Sequence, residues 1–206
     1  MRIQTIITKS SDLSTVSSID TLKTALAKMK DANIKSIPVV NGNKFQGVIF
    51  KDKILETFLT YQDSEKELSE KTVEGFIDEI PVMHEGSSFE AIVNVLREKD
   101  SVFLAITDIK DNFLGIVTHK SIFDELTEIL GLNNGTKITI YLFDMPGQLA
   151  KISQIFAKHN ANIQNLVARN PKTKMDIREI IIRVDNSIAK DIKSDLERAG
   201  YRVSLD

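Results

Sequence analysis

The 206-residue chain contains no cysteine. That excludes disulfides, thiol nucleophiles and thiolate metal sites, and it suits a reducing compartment. Tryptophan is absent too, and aromatic residues make up only 6%. A nucleic-acid surface of basic residues interleaved with aromatics is not written here. Neither sign of charge dominates: Lys and Arg number 27, Asp and Glu 29, and the net charge is −2. Such a chain has no global field to hold nucleic acid or an anionic membrane. No apolar run approaches the roughly 20 residues a bilayer span needs, and the opening MRIQTIITKSSDLS lacks the apolar centre of a signal peptide. The expected location is the cytoplasm. Histidine is scarce: His84, His119 and His159 lie far apart without metal-ligand spacing. No Gly-x-Ser-x-Gly, P-loop or dinucleotide fingerprint occurs. These absences lead to the expectation that the protein is not an enzyme.

What the chain does contain is a phrase written twice. GVIFKDKIL at 47–55 returns as GIVTHKSIF at 115–123. The surroundings repeat with it. SIDTLKTALAKMKD (18–31) aligns with SSFEAIVNVLREKD (87–100), each with one apolar helical stripe: Leu22, Ala25, Leu26 and Met29, then Phe89, Ile92, Val93 and Leu96. Asp20 is the expected N-cap of the first helix, and Ser87 with Glu90 the expected capping box of the second. IPVV (37–40) and VFLAI (102–106) read as strands. The turns NGNK and DIKDN join them to the strands that carry the glycine phrases. KILETFLTY and SIFDELTEIL read as closing helices, and LSTVS and IPVMH as short leading β pieces. Both units therefore read β-α-β-β-α, over 1–62 and 70–130. YQDSEKELSEK between them reads as a helix end and linker.

GLNNG (131–135) is a linker signal, and the pattern then changes. TKITIYL alternates like a strand. Leu149, Ile152, Ile155 and Phe156 stripe a helix that Pro146 and Gly147 introduce by a turn, and Asn160 suits a left-handed C-cap. ANIQNLVA and IREIIIRV read as strands joined by the polar loop RNPKTKMD. A helix with Ile188, Ile192, Leu196 and Ala199 inward precedes a last strand, YRVSLD. The order βαββαβ over 136–206 is a ferredoxin-like layout. The fold class is α/β, of the α+β kind.

A β-α-β-β-α repeat with PVV and a later Gly-apolar-apolar-Thr phrase resembles the CBS domain, which normally occurs as a tandem pair forming one module. The C-terminal layout, with Asp-x-Pro-Gly-x-Leu at 144–149 and HNANI at 159–163, resembles the ACT domain. A CBS pair followed by an ACT domain is similar to small bacterial regulators of the acetoin-utilisation type, and some small CBS proteins are receptors for cyclic di-AMP. The resemblance implies a ligand-sensing regulatory protein. Its CBS pair would bind an adenine nucleotide, cyclic di-AMP or AMP/ATP-like, as a regulatory ligand rather than a cofactor. Its ACT domain would make a homodimer and either serve only for dimerisation, as many ACT domains do, or take an amino acid, as the amino-acid-binding members do. The output would pass to a separate effector protein.

Carried over by position, the second repeat keeps Gly115 and Thr118 and has Ser121 where Asp is usual for ribose. The first keeps Gly47, with Phe50 and Lys53 at the other two places. The usual ribose carboxylate is thus missing twice. Basic or titratable groups stand nearby instead: Lys35, Lys51 and Lys53 in the first repeat, His119 and Lys120 in the second. They suit a ligand with more than one phosphate, or equally an exposed first helical turn. Thr118 either contacts phosphate or caps its helix. The adenine slot of the second repeat falls near Ile80, Pro81, Val82 and Met83. In the ACT region the corresponding ligand turn is Asp144, Met145, Pro146, Gly147, Gln148 and Leu149, faced by Asn162 and Ile163 from the partner subunit. The alternative is a ligand-free dimerisation scaffold with degenerate CBS pockets.

Overall fold

Hydroxyl caps set the start of the first helix in each repeat. In the computed structural model, which describes residues 3–59, 64–99, 101–172 and 176–206, α1 is Leu22–Asp31 and α4 is Phe89–Glu98. Thr21 caps α1 by accepting from the Thr24 amide, and Ser88 caps α4 by accepting from the Ala91 amide. Both caps fall one residue after the expected Asp20 and Ser87. Asp20 accepts from the Ser17 amide instead, bracing the turn that precedes α1. Ala25, Met29, Ile92 and Leu96 are buried, and Leu26 is partly buried.

The chain divides into two compact units, one running to Phe123 and the other beginning at Asp124. In the first unit, the repeats form matching sheets. The first has β2 (Ser36–Asn41) antiparallel to β3 (Lys44–Phe50), followed by α2 (Lys51–Leu59). The second has β4 (Val82–His84) parallel to β5 (Phe103–Thr107), β5 antiparallel to β6 (Phe113–Thr118), then α5 (His119–Ile129), whose first five residues belong to this unit. Both closing helices begin two residues before the expected Lys53 and Ser121. The linker contains α3 (Ser64–Glu70), where Leu68 packs on the first repeat's core. Its beginning, 61–63, lies outside the described residues, as does 173–175 of the later polar loop.

Each repeat completes the other's sheet. The N-terminal strand β1 (Thr8–Lys9) pairs with β6, Thr8 opposite Ile116 and Lys9 opposite Gly115, giving the order β1-β6-β5-β4. Reciprocally, Asp78 exchanges two backbone hydrogen bonds with Val48 on β3, at 2.8 and 2.9 Å. On the far side, Val16 bridges β2 at Val39 as β4 flanks β5. The glycines of the repeated phrase make the exchange possible. Gly47 and Gly115 have φ of +144° and +151°. A Cβ on Gly115 would stand 2.1 Å from the Thr8 carbonyl oxygen, and one on Gly47 2.5 Å from that of Asp78. Val48, Phe103, Ala105, Phe113 and Ile116 form a core drawn from both repeats, where Phe45 stacks on Phe113 at 5.2 Å. The two hairpin turns also meet, Lys44 bridging Asn112. In the second turn Asp108 accepts from the Asn112 and Lys110 amides and the Asn112 side chain, each at 2.8 Å. These bonds, the Asn112 amide first, hold its carboxyl below the usual range.

The second unit contains β7 (Thr136–Phe143), α6 (Gln148–Lys158), β8 (Asn165–Arg169), β9 (Ile177–Val184), α7 (Ala189–Arg198) and β10 (Arg202–Leu205). The sheet is antiparallel with order β10-β7-β9-β8. Alternation puts Ile138, Ile140, Ile180, Ile182 and Val184 in one core with Ile152, Ile155, Phe156, Ile192 and Leu196 of the helices. Asn160 takes the left-handed conformation at the end of α6, φ +49°. Two inward assignments change. Leu149, on the first turn of α6, is 48% exposed, and Ala199 caps α7 at the surface while Ala189 is buried at its start.

Candidate functional site

Two clusters of expected ligand residues form at the helix starts of the first unit. In the second repeat, β4 enters where β6 ends. The Pro81 carbonyl accepts from the Ala105 amide at 3.1 Å, and Phe103, two residues earlier on β5, pairs with Thr118. Ile80, Pro81, Val82 and Met83 therefore share one end of the sheet with Thr118, His119, Lys120 and Ser121. Val82 is half exposed and Ile80 packs on the shared core. Thr118 and Ser121 satisfy each other: the Ser121 amide donates to Thr118 Oγ1 at 3.1 Å, and the Thr118 amide donates to Ser121 Oγ at 3.0 Å. The Ser121 hydroxyl donates on to the Thr118 carbonyl at 2.9 Å. Thr118 thus caps α5, and a phosphate would bind by sharing that cap. His119 and Lys120 are exposed on the same turn. Gly115 lies three residues earlier, where the protein's own β1 occupies the space its missing side chain leaves.

In the first repeat, the Lys51 amide donates to the Lys35 carbonyl at 2.8 Å, bringing those two lysines to one corner. Lys53 is committed elsewhere: its ammonium pairs with Asp78, the residue that joins β3 from the other repeat. Sequence alone gave no signal for this pairing, because it depends on the exchange of leading segments.

In the second unit, Pro146 and Gly147 form the expected turn, Gly147 at φ +81° and ψ −3°, the values of the third residue of a type II turn. The turn borders a cavity of about 330 Å³ lined by Asp144, Pro146, Gly147, Leu149, Arg178 and Ile180, among others including Met145 and Gln148. Asp144, expected to face an ammonium, accepts from Arg178 Nε at 2.8 Å. Both side chains are about half exposed. Arg178 was not foreseen. Its signal was strand register, since alternation places it on the face of Ile180 and Ile182. Asn162 is exposed, and Ile163 lines a separate cavity of about 220 Å³ with Ile152, Leu166 and Ile182; Leu149 borders both cavities.

The histidines do not converge. His84 Nδ1 lies 3.3 Å from the Asp108 carbonyl, and His159 Nε2 lies 3.0 Å from Asp195. Among the described residues, no group of three or more His, Asp or Glu is placed to hold a metal, and no helix is long and apolar enough to cross a membrane.

Residues 4–60 match the family model of the CBS domain, and residues 136–200 that of the ACT domain. No curated protein matches the chain in sequence. Among solved structures, CbpB in complex with c-di-AMP is similar at 18% identity, covering 65% of this chain and 89% of its own, TM-score 0.57. The CBS domain of a bacterial CNNM/CorC family Mg2+ transporter in complex with ATP is similar at 19% identity, covering 62% and 87%, TM-score 0.54. A CBS domain pair/ACT domain protein from Thermotoga maritima is similar at 20% identity, covering 63% and 99%, TM-score 0.51. At these identities the likeness is one of fold.

Proposed function

We propose that this chain, which carries CBS and ACT domains, is a cytoplasmic ligand-sensing regulator and not an enzyme. Its CBS repeats bind an adenine nucleotide, cyclic di-AMP or an AMP/ATP-like ligand. Its ACT domain forms a homodimer and takes an amino acid at the Asp144–Leu149 turn, and the dimer signals to a separate effector protein. The observation that carries this reading is the assembly of Ile80–Met83 and the Thr118–Ser121 helix start at one sheet end. There, apolar walls for a base adjoin amides, hydroxyls and cations for phosphate. Support comes from the ligands named for similar structures, c-di-AMP and ATP. For regulation, the nucleotide must favour one geometry of the protein over another.

A second reading, a ligand-free scaffold, is favoured by two observations: Thr118 and Ser121 already satisfy each other, and Lys53 is paired. Thermal unfolding against AMP, ATP, cyclic di-AMP and cyclic di-GMP separates the two. A ligand at 100 times its Kd adds about 2.7 kcal/mol, roughly 5–10 °C for a chain of this size. A shift with one adenine ligand, absent with cyclic di-GMP and reduced in Thr118→Val, is the expected result. No shift with any nucleotide would support the scaffold.

A further inference from the structure

A second groove of the second unit shares Met145 and Gln148 with the proposed amino-acid turn but is otherwise unused by that proposal. Strand β10 begins at Arg202, opposite Tyr141, and the last residues of β7, Leu142 and Phe143, run on without it. Beside this overhang lies a cavity of about 860 Å³, between the end of β7, the first turn of α6 and the turn from α7 into β10. Its walls carry three aromatic residues, Tyr141, Phe143 and Tyr201, beside aliphatic ones such as Leu142, Met145, Ile177 and Val203. Its charged groups are all cations, Lys151 and Arg202, and no acidic residue lines it. Neither cation has an ion-pair partner among the described residues. The Arg202 guanidinium stands 5.8 Å from the centre of the Tyr141 ring. Tyr201 Oη donates to Gln148 Oε1 at 2.9 Å, fixing one ring against the first turn of α6.

Aromatic walls with uncompensated cations complement a flat apolar body bearing one anionic head. We propose that this groove binds a small aromatic carboxylate, its ring against Tyr141 and Phe143 and its carboxylate on Arg202, with Lys151 adding attraction. A guanidinium fork meets a carboxylate through two parallel hydrogen bonds, which an ammonium cannot reproduce. The proposal stands independently of nucleotide binding by the first unit; the groove shares Met145 and Gln148 with the Asp144 cavity, and Asp144→Asn separates the two.

The test is a titration of the full chain with benzoate, benzamide and acetate, read by amide chemical shifts. For a probe of this size, benzoate is expected to saturate with a Kd of about 1 mM. The shifting amides should be those of 141–143 and 200–204. Benzamide lacks the charge and acetate lacks the ring, and each should bind at least about tenfold more weakly. Arg202→Glu should weaken benzoate by about tenfold or more, while Asp144→Asn leaves it unchanged. Ser204→Phe, which narrows the groove without touching its charge, should also block binding. Equal binding of benzoate and benzamide, indifference to both groove variants, or shifts confined to 144–149 would overturn the assignment. So would benzoate failing to bind while the same amides move with protein concentration, the signature of a second copy on this surface.

Discussion

Replacing Gly115 with alanine sets a methyl group 2.1 Å from the Thr8 carbonyl oxygen and 3.0 Å from Lys9 Cα. Both neighbours are backbone, so no side chain can rotate aside. The backbone at φ +151° adds strain of about 1–3 kcal/mol for a residue with a Cβ. Relief requires β1 to step away from β6, losing pairing at Thr8 and Lys9, about 1 kcal/mol for each hydrogen bond given up. The sum is about 3–5 kcal/mol. Gly42→Ala is the control: Gly42 also has positive φ, +58°, but nothing lies within 4 Å of a Cβ there, so it should cost only about 1–2 kcal/mol. Amide exchange at Leu104 and Val117, both fully buried in this sheet, reports the module without interference from the second unit. The difference of about 1–4 kcal/mol predicts protection roughly 5- to 900-fold lower in Gly115→Ala than in Gly42→Ala. Protection within about threefold between the two variants would refute the idea that these glycines exist to admit the other repeat's leading segment.

Thr118→Val should cost about 1 kcal/mol through loss of the α5 cap, measured by urea denaturation, while Thr118→Ser keeps most of that stability. Arg169→Ala should destabilise the second unit, because it strips the guanidinium from Glu179, a carboxylate only 5% exposed; denaturation with and without salt checks it. Phe156→Ala, at the centre of the ACT core, should cost about 3–5 kcal/mol in the same assay. The Asp195 carboxyl lies below its ordinary pKa, chiefly through its hydrogen bond with His159, against partial desolvation and with Arg198 and Lys158 assisting. A carboxyl lowered by folding stabilises the fold above its unfolded pKa of about 3.9, and that contribution vanishes as pH falls through the folded value. His159→Ala should move the Asp195 midpoint upward in an NMR titration; an unchanged midpoint would remove the hydrogen bond as its cause.

The repeat and the ferredoxin-like order were legible because their signals are periodic or positional: stripes such as Leu22, Ala25 and Met29, alternation through Ile138 and Ile140, and glycines where backbones crowd. Cap positions were legible only to within a residue, since Asp20 and Thr21, or Ser87 and Ser88, are all competent by type. The hydrogen bond from the Thr24 or Ala91 amide decides between them. The exchange of leading segments was not legible, because two residues such as Thr8 and Lys9 carry no periodicity. The pairings of Arg178 with Asp144, Arg169 with Glu179 and Lys53 with Asp78 were hidden for another reason: alternation can put Arg178 on the face of Ile180, but its partner depends on the register between strands distant in sequence. At the candidate nucleotide site the residue types were readable, but the mutual bonding of Thr118 and Ser121 was not, because Ser reads as a missing Asp until its geometry is seen.

The exchanged leading segments tie the two repeats into one module, since each sheet is completed by the other repeat. Cleaving the chain between the repeats would give two pieces, each carrying the strand that the other's sheet is missing: Thr8–Lys9 on one, the Ile77–Asp78 segment on the other. Such halves are mutual ligands, each offering an open ladder edge shaped for the other's backbone.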